Sequence, residues 1–212
     1  MIKYISFDLD GTLADNRFDL IIWDEEIPRL YAERNHISLE EAKTKVFAEY
    51  YKALYIEKVQ QWKDVAYWFK RLDLDDSWED IIKSASKNIS LYTNAINVLE
   101  YLSKRYKLLI ISAADRKFLD LKIGSKDISK YFYKVFSLPT DMGFVKKSRS
   151  AFLKVLSDLN IDPEDIVHVG DDLYEDYHIP SSVGIMSFLL DRSGKSMEGN
   201  TITSLAKLKE LL

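Results

Sequence analysis

The run IKYISFDLDGTL, residues 2–13, decides how the rest of the chain is read. Residues 2–7 are mostly β-branched, aromatic or apolar, which predicts a short strand ending at Asp8. Two carboxylates, Asp8 and Asp10, then a glycine and a threonine, follow it directly. A strand that needed only solubility has no use for that order.

Working outward, four more runs of this kind appear only after residue 106: KLLIIS (107–112), KVFSL (134–138), DIVHVG (165–170) and IMSFLL (185–190). Helical patterns separate them. Residues 94–104 carry Ile96, Leu99 and Leu102 at helical spacing behind Thr93, residues 150–160 place Phe152, Val155, Leu156 and Leu159 on one face, and residues 204–212 close the chain. Alternating strands and helices predict an α/β fold, a three-layer Rossmann-like core with a parallel sheet between helices.

Between the first strand and the second, residues 16–86 follow a helical period only. Ser38 and Glu41 form a capping box, after which Val46, Phe47, Tyr50, Tyr51 and Leu54 make one apolar stripe and Trp62, Val65, Ala66, Phe69 and Leu72 another. Ser77 and Asp80 start a further helix, and all four tryptophans fall in this segment. Structureless loops of that length are uncommon, so 16–86 is read as a small inserted α-helical cap domain, and 1–15 with 87–212 as the α/β core. Extra helices packed flat on the sheet are the alternative.

Composition limits what the carboxylates at 8 and 10 can serve. Among 212 residues, 47% are hydrophobic and 30% charged, with a formal net charge of -4 spread along the chain. No basic block tracks a phosphate backbone or an anionic membrane, so neither nucleic acid nor membrane is an expected partner. The absence of cysteine removes disulfides, thiolate metal sites and cysteine nucleophiles, and fits a cytoplasmic protein. The N-terminus lacks a signal-peptide pattern, and no apolar run in the sequence approaches the length of a membrane span.

In an open parallel sheet, ligands bind beyond the carboxyl ends of the strands. The polar candidates gather there: Asp8 to Thr12 after the first strand, Ser112 at the end of the second, Lys146 after the third, and Gly170, Asp171, Asp172 and Asp176 after the fourth. With DLDGTL, Ser112, GFVKKSRSAF and VHVGDDLYED in that order, the chain resembles the haloacid dehalogenase-like hydrolase superfamily over residues 1–15 and 90–190. A calcium loop fails as a competitor, because an EF-hand needs glycine at the sixth loop position, where Leu13 stands.

The resemblance implies a Mg²⁺-dependent phosphatase acting on a small phosphorylated metabolite through an aspartyl-phosphate, working as a monomer or homodimer. It casts Asp8 as nucleophile and Asp10 as general acid and then base. Asp8, Asp171 and the Asp10 carbonyl hold Mg²⁺, while Gly11, Thr12, Ser112, Ala113 and Lys146 contact the phosphoryl group. Asp176 holds Lys146 or a metal-bound water, with Asp172 a rival for the task. Three departures from the family pattern stand out: Ala113 and Ala114 after Ser112, Lys147 where proline is usual, and Ile179 to Gly184 in place of a glycine and alanine run. Lys147 thereby competes with Lys146. His168 reads as a structural histidine within a strand, His36 and His178 have no partner motif, and Arg17 reads as a solvated hinge residue. Alternative activities are a hydrolytic dehalogenase, a phosphomutase or a phosphonatase, and outside catalysis a silent binding module. Against a dehalogenase stands Asp10, since a departing halide needs no proton and that family carries an uncharged or aromatic residue there.

Overall fold

The computed structural model describes all 212 residues. They form two compact units, one of Met1–Asp15 with Leu91–Leu212 and one of Asn16–Ser90. The second crossing lies after Ser90 rather than at 87, because the 3-10 turn Ser86–Asn88 continues directly from the Trp78–Ala85 helix.

The first unit is built on six parallel strands: β1 (Tyr4–Phe7), β2 (Lys107–Ser112), β3 (Phe132–Ser137), β4 (Ile166–Gly170), β5 (Met186–Leu190) and β6 (Thr201–Ile202). Their order is β3-β2-β1-β4-β5-β6. The chain thus builds outward from β1 on one side, then crosses to β4 and builds outward on the other. The cleft beyond β1 and β4 is the topological switch point, where an open α/β sheet takes its ligands. β3 begins two residues earlier than its apolar run, and the two-residue β6 carries too little pattern to be read from sequence.

Every residue of β1 is buried, as a strand covered on both faces requires. Ile5 and Phe7 pack on one face with Ile110, Val167, Leu99, Leu102 and Leu119, and Tyr4 packs on the other with Leu109, Ile111, Phe152 and Val155. That alternation produces the three layers. Each fully buried side chain of this kind contributes about 1.5–3 kcal/mol. Ile96, placed on the apolar stripe by its spacing, is instead exposed, and Val98 takes the inward position.

The second unit is helical throughout, with helical runs over 17–35 and 39–56 and the Val65–Arg71 and Trp78–Ala85 helices. Ser38 caps the second run by accepting from the Glu41 amide at 3.2 Å, and Ser77 caps the last helix by accepting from the Asp80 amide at 3.3 Å. Trp68 is its largest buried side chain, donating to the Trp62 carbonyl at 2.7 Å with the Tyr50 ring 4.5 Å away. Phe47 and Tyr51, expected on the buried stripe, face solvent. No helix is long and apolar enough to cross a membrane.

Candidate active site

The turn after β1 is folded around one carbonyl. Leu9 O accepts from the amides of Thr12, Leu13 and Ala14 at 3.3, 2.9 and 2.8 Å, while Leu9 and Leu13 anchor the turn in the core. Asp8 continues the β1–β4 ladder, its amide donating to Val169 O at 2.9 Å, so its carboxylate emerges at the switch point. Gly11 has φ of +83°, and a β-carbon there would lie 2.2 Å from Asp171 Oδ2. Both its conformation and its missing side chain are therefore needed. Thr12 Oγ1 donates to Asp171 Oδ1 at 2.8 Å and ties the turn to the residue that follows β4.

Gly170, the last residue of β4, makes room in the same way: a β-carbon there would stand 2.2 Å from Asp176 Cγ. Asp176 is buried and saturated with donors, accepting from Lys147 Nζ at 2.5 Å, His168 Nε2 at 3.0 Å and the Asp172 amide at 3.1 Å. Asp172 does not share that work. Its side chain caps the turn Leu173–His178, accepting from the amides of Tyr174 and Glu175 at 2.8 and 2.7 Å. This separates the two aspartates that sequence left unranked.

The lysine at the carboxylates is Lys147, not Lys146. Lys147 Nζ lies 2.5 Å from Asp8 Oδ1 and 2.5 Å from Asp176 Oδ1, and the residue is buried, whereas Lys146 is half-buried. The cause is local. Ser148 caps the Arg149–Leu159 helix, accepting from the Ala151 amide at 3.1 Å, and the Lys147 amide is held by Glu175 Oε2 at 3.2 Å. With both anchors set, position 147 faces the strand ends. Ser148 ahead of the apolar Ala151, Phe152 and Val155 was the available signal.

His168 is structural in position but belongs to the network. Its Nδ1 lies 2.8 Å from Ser6 Oγ, the residue opposite it in the β1–β4 register, and Phe152 packs edge-on against its ring. Burial pushes the imidazole's pKa down, so the ring is neutral. A carboxylate can only accept, which places the proton on Nε2 and leaves Nδ1 against the Ser6 hydroxyl, which also lies within reach of the Val167 carbonyl at 3.2 Å.

Asp10, two residues after Asp8, is a quarter exposed, with Lys122 Nζ 2.5 Å from its Oδ1. Sequence reading missed Lys122. Its signal was a charge on the buried stripe of the Arg116–Ser125 helix, among Phe118, Leu119 and Ile123. Arg192, also missed, follows β5 and donates to the carbonyls of Gly11 and Thr12 at 2.5 and 2.7 Å, with the Tyr92 ring 3.4 Å beneath its guanidinium. Ser112, buried at the end of β2, accepts from the Ala114 amide at 3.0 Å, with Ala113 and Ala114 buried beside it.

Electrostatically the cluster is short of positive charge. Burial pushes the Asp8 carboxyl well above the usual range, Lys147 opposes this, and Asp176, Asp171 and Asp10 add to it. Burial likewise raises Asp171, against the Thr12 hydrogen bond. Asp176 goes the other way: burial is outweighed by Lys147 and His168, and it stays ionised. Burial opposes the charge on Lys147 too, yet Asp176 and Asp8 hold its proton above the ordinary lysine range. Asp8, Asp171 and Asp176 present carboxylate oxygens within 4.8 Å of one another. With Asp176 committed to its donors, Asp8 and Asp171 each keep an oxygen uncommitted to another side chain, a hard-donor pair suited to a divalent cation.

A parallel sheet whose switch point holds facing carboxylates and a buried lysine defines an α/β enzyme with an acidic catalytic rim. The chain belongs to the haloacid dehalogenase-like hydrolases, whose family model matches residues 2–178. No curated protein sequence matches it. Among solved structures, a HAD phosphatase from Thermococcus onnurineus superposes with a TM-score of 0.82 at 26% identity, covering 99% of this chain and 97% of that one. The 2-haloacid dehalogenase from Pseudomonas syringae pv. Tomato DC3000 gives 0.72 at 20% identity, covering 100% and 98%. The HAD-hydrolase YfnB from Bacillus subtilis, bound to magnesium, gives 0.69 at 18% identity, also covering 100% and 98%. The last two share the fold, so phosphatase and dehalogenase both stand among the neighbours.

Proposed function

We propose that this hydrolase is a Mg²⁺-dependent phosphatase of small phosphomonoesters. The observation that carries the reading is Asp10. A second, partly exposed carboxylate on the same turn as Asp8 serves a leaving group that needs a proton, and a departing halide needs none. The likeness to the Thermococcus phosphatase along the whole chain supports it.

In this reading a carboxylate oxygen of Asp8 attacks phosphorus in line. The bond from phosphorus to the alcohol oxygen breaks, and that oxygen takes its electron pair and the proton of the Asp10 carboxyl. Asp10, now a carboxylate, accepts a proton from water as the water oxygen bonds to phosphorus. The Asp8–phosphorus bond then breaks, releasing phosphate and restoring both aspartates. Lys147 offsets charge on Asp8 and Asp176, and the Ser112 hydroxyl and the Gly11–Thr12 turn line the phosphoryl position. Mg²⁺ bound by Asp8 and Asp171 would supply the positive charge that a phosphate dianion beside several carboxylates requires.

The test is a phosphate-release screen over phosphorylated metabolites, with and without Mg²⁺, for wild type and Asp8→Asn. Mg²⁺-dependent release that Asp8→Asn abolishes is expected. Halide release from 2-haloacids without metal, in place of phosphate release, would overturn the assignment.

A further inference from the structure

Lys122 is a fully buried amine, 1% exposed, that neither the strand-end motifs nor the mechanism above uses. It projects from the second turn of the Arg116–Ser125 helix, between Phe118 and Ile123, with the Phe118 ring 6.0 Å from its ammonium. Burying an ammonium among apolar side chains is costly unless a partner compensates. Here Asp10 Oδ1 stands 2.5 Å away, across 112 residues of sequence. The Asp10 carboxylate is itself a quarter exposed and sits on a turn whose other side chains, Leu9, Thr12 and Leu13, are fully buried. Without a fixed partner, a short side chain at the exposed point of a tight turn samples several rotamers. With Oδ1 fastened to Lys122, one rotamer is selected and Oδ2 is left as the oxygen that can exchange a proton.

We infer that Lys122 is the positioning residue for Asp10: its ammonium fixes the carboxylate so that one defined oxygen serves the leaving group in the first half-reaction and water in the second. This deepens the phosphatase reading and rests on it for its kinetic consequence, but not for its structural one. A proton must pass over a distance set to within a few tenths of an ångström, so a loosened Asp10 loses general acid help while the attack by Asp8 is untouched. The loss should therefore grow with the need for a proton.

The experiment compares Lys122→Met, Lys122→Gln and Lys122→Arg, each alone and with Asp10→Asn, on an alkyl phosphate and on p-nitrophenyl phosphate. For Lys122→Met, kcat should fall roughly 10- to 100-fold on the alkyl ester and less than about 3-fold on the nitrophenyl ester, within the range of general acid catalysis. KM should hold, Lys122→Arg should recover part of the loss, and Lys122→Met should cost nothing further once Asp10 is asparagine. A loss equal on both esters, or additive with Asp10→Asn, marks a merely structural lysine and overturns the inference. Lys122→Gln is polar but uncharged and too short to reach the Asp10 carboxylate as lysine does, and covers the case in which the methionine variant does not fold. Crystal structures of wild type and the folded variants read the same claim without activity: Asp10 should leave its wild-type rotamer in Lys122→Met or Lys122→Gln and keep it in Lys122→Arg. An unmoved Asp10 overturns the inference. A wild type that hydrolyses no phosphate ester overturns the phosphatase reading alone, and the crystallographic comparison still decides the role of Lys122.

Discussion

The carboxylate of Asp171 occupies the space that a β-carbon on Gly11 would need, 2.2 Å from its Oδ2. Neither residue can keep its place if the other changes shape. Gly11→Ala should cost about 1 kcal/mol for the positive φ alone and push Asp171 off its Thr12 hydrogen bond. The expected result is a modest loss of Tm together with loss of most Mg²⁺-dependent activity. A protein that keeps wild-type turnover after this substitution would show that Asp171 need not stand where it does.

Lys147 and Lys146 are neighbours with opposite expectations. Lys147→Met leaves Asp8 and Asp176 buried without their shared cation, which should destabilise by about 3–5 kcal/mol and reduce kcat at least a hundredfold. Lys146→Met, at a half-buried position, should lower kcat by less than a factor of about three and stability by about 1 kcal/mol or less. Urea unfolding and steady-state kinetics on the pair decide it. Comparable losses in both variants would mean that the two lysines exchange places in solution.

Asp10→Asn should cost most where the leaving oxygen is a poor one. On an alkyl phosphate the loss should approach about 10² to 10⁴, and on p-nitrophenyl phosphate it should be far smaller. Rapid-quench trapping should show the aspartyl-phosphate forming and then persisting, because the same carboxylate activates water. Equal losses on both esters in the phosphorylation step would remove Asp10 from the role of proton donor.

Chelation is a separate check on the Asp8 and Asp171 oxygens. EDTA should silence turnover and Mg²⁺ restore it, whereas Ca²⁺ should bind and support little, its larger and looser shell misplacing the attacking oxygen. Mg²⁺ should also raise the Tm, in proportion to the logarithm of its concentration above Kd, and Asp171→Asn should remove most of that rise. Full activity after exhaustive chelation would favour a dehalogenase.

Asp191 gives a pH dependence away from the reaction centre. Its carboxylate accepts from the Ser193 hydroxyl and from the amides of Ser196, Ser193 and Lys195, which lower its pKa to about 2 from an ordinary 3.8. The folded pKa is depressed, so this contribution is complete above 3.8 and is lost as the pH falls towards 2. The Tm difference between wild type and Asp191→Asn should be constant near neutrality and shrink over that interval. A difference that persists at the acid end would assign the loop's order to something other than this carboxylate.

The sequence by itself determined the layers, the insertion after the first strand and the place of the acidic turn. Strand and helix periods are local properties: IKYISF cannot bury both its faces except inside a parallel sheet, and DLDGTL cannot follow such a strand without delivering Asp8 to its carboxyl end. Only the tertiary structure decided which side chains meet there. Lys147 reaches Asp8 across 139 residues and Arg192 reaches Gly11 across 181, from segments with no repeating pattern to predict a side chain's direction. In such a segment a shift of one residue exchanges two neighbours, as it would exchange Lys146 for Lys147, and the choice is made by the Ser148 cap and the Glu175 contact rather than by any period. His168 and Lys122 lie on regular elements, yet both stand on faces where pattern predicts apolar residues. Burial makes an unpaired polar group costly, and only the packed molecule supplies Asp176 and Asp10 as the partners that make those positions stable.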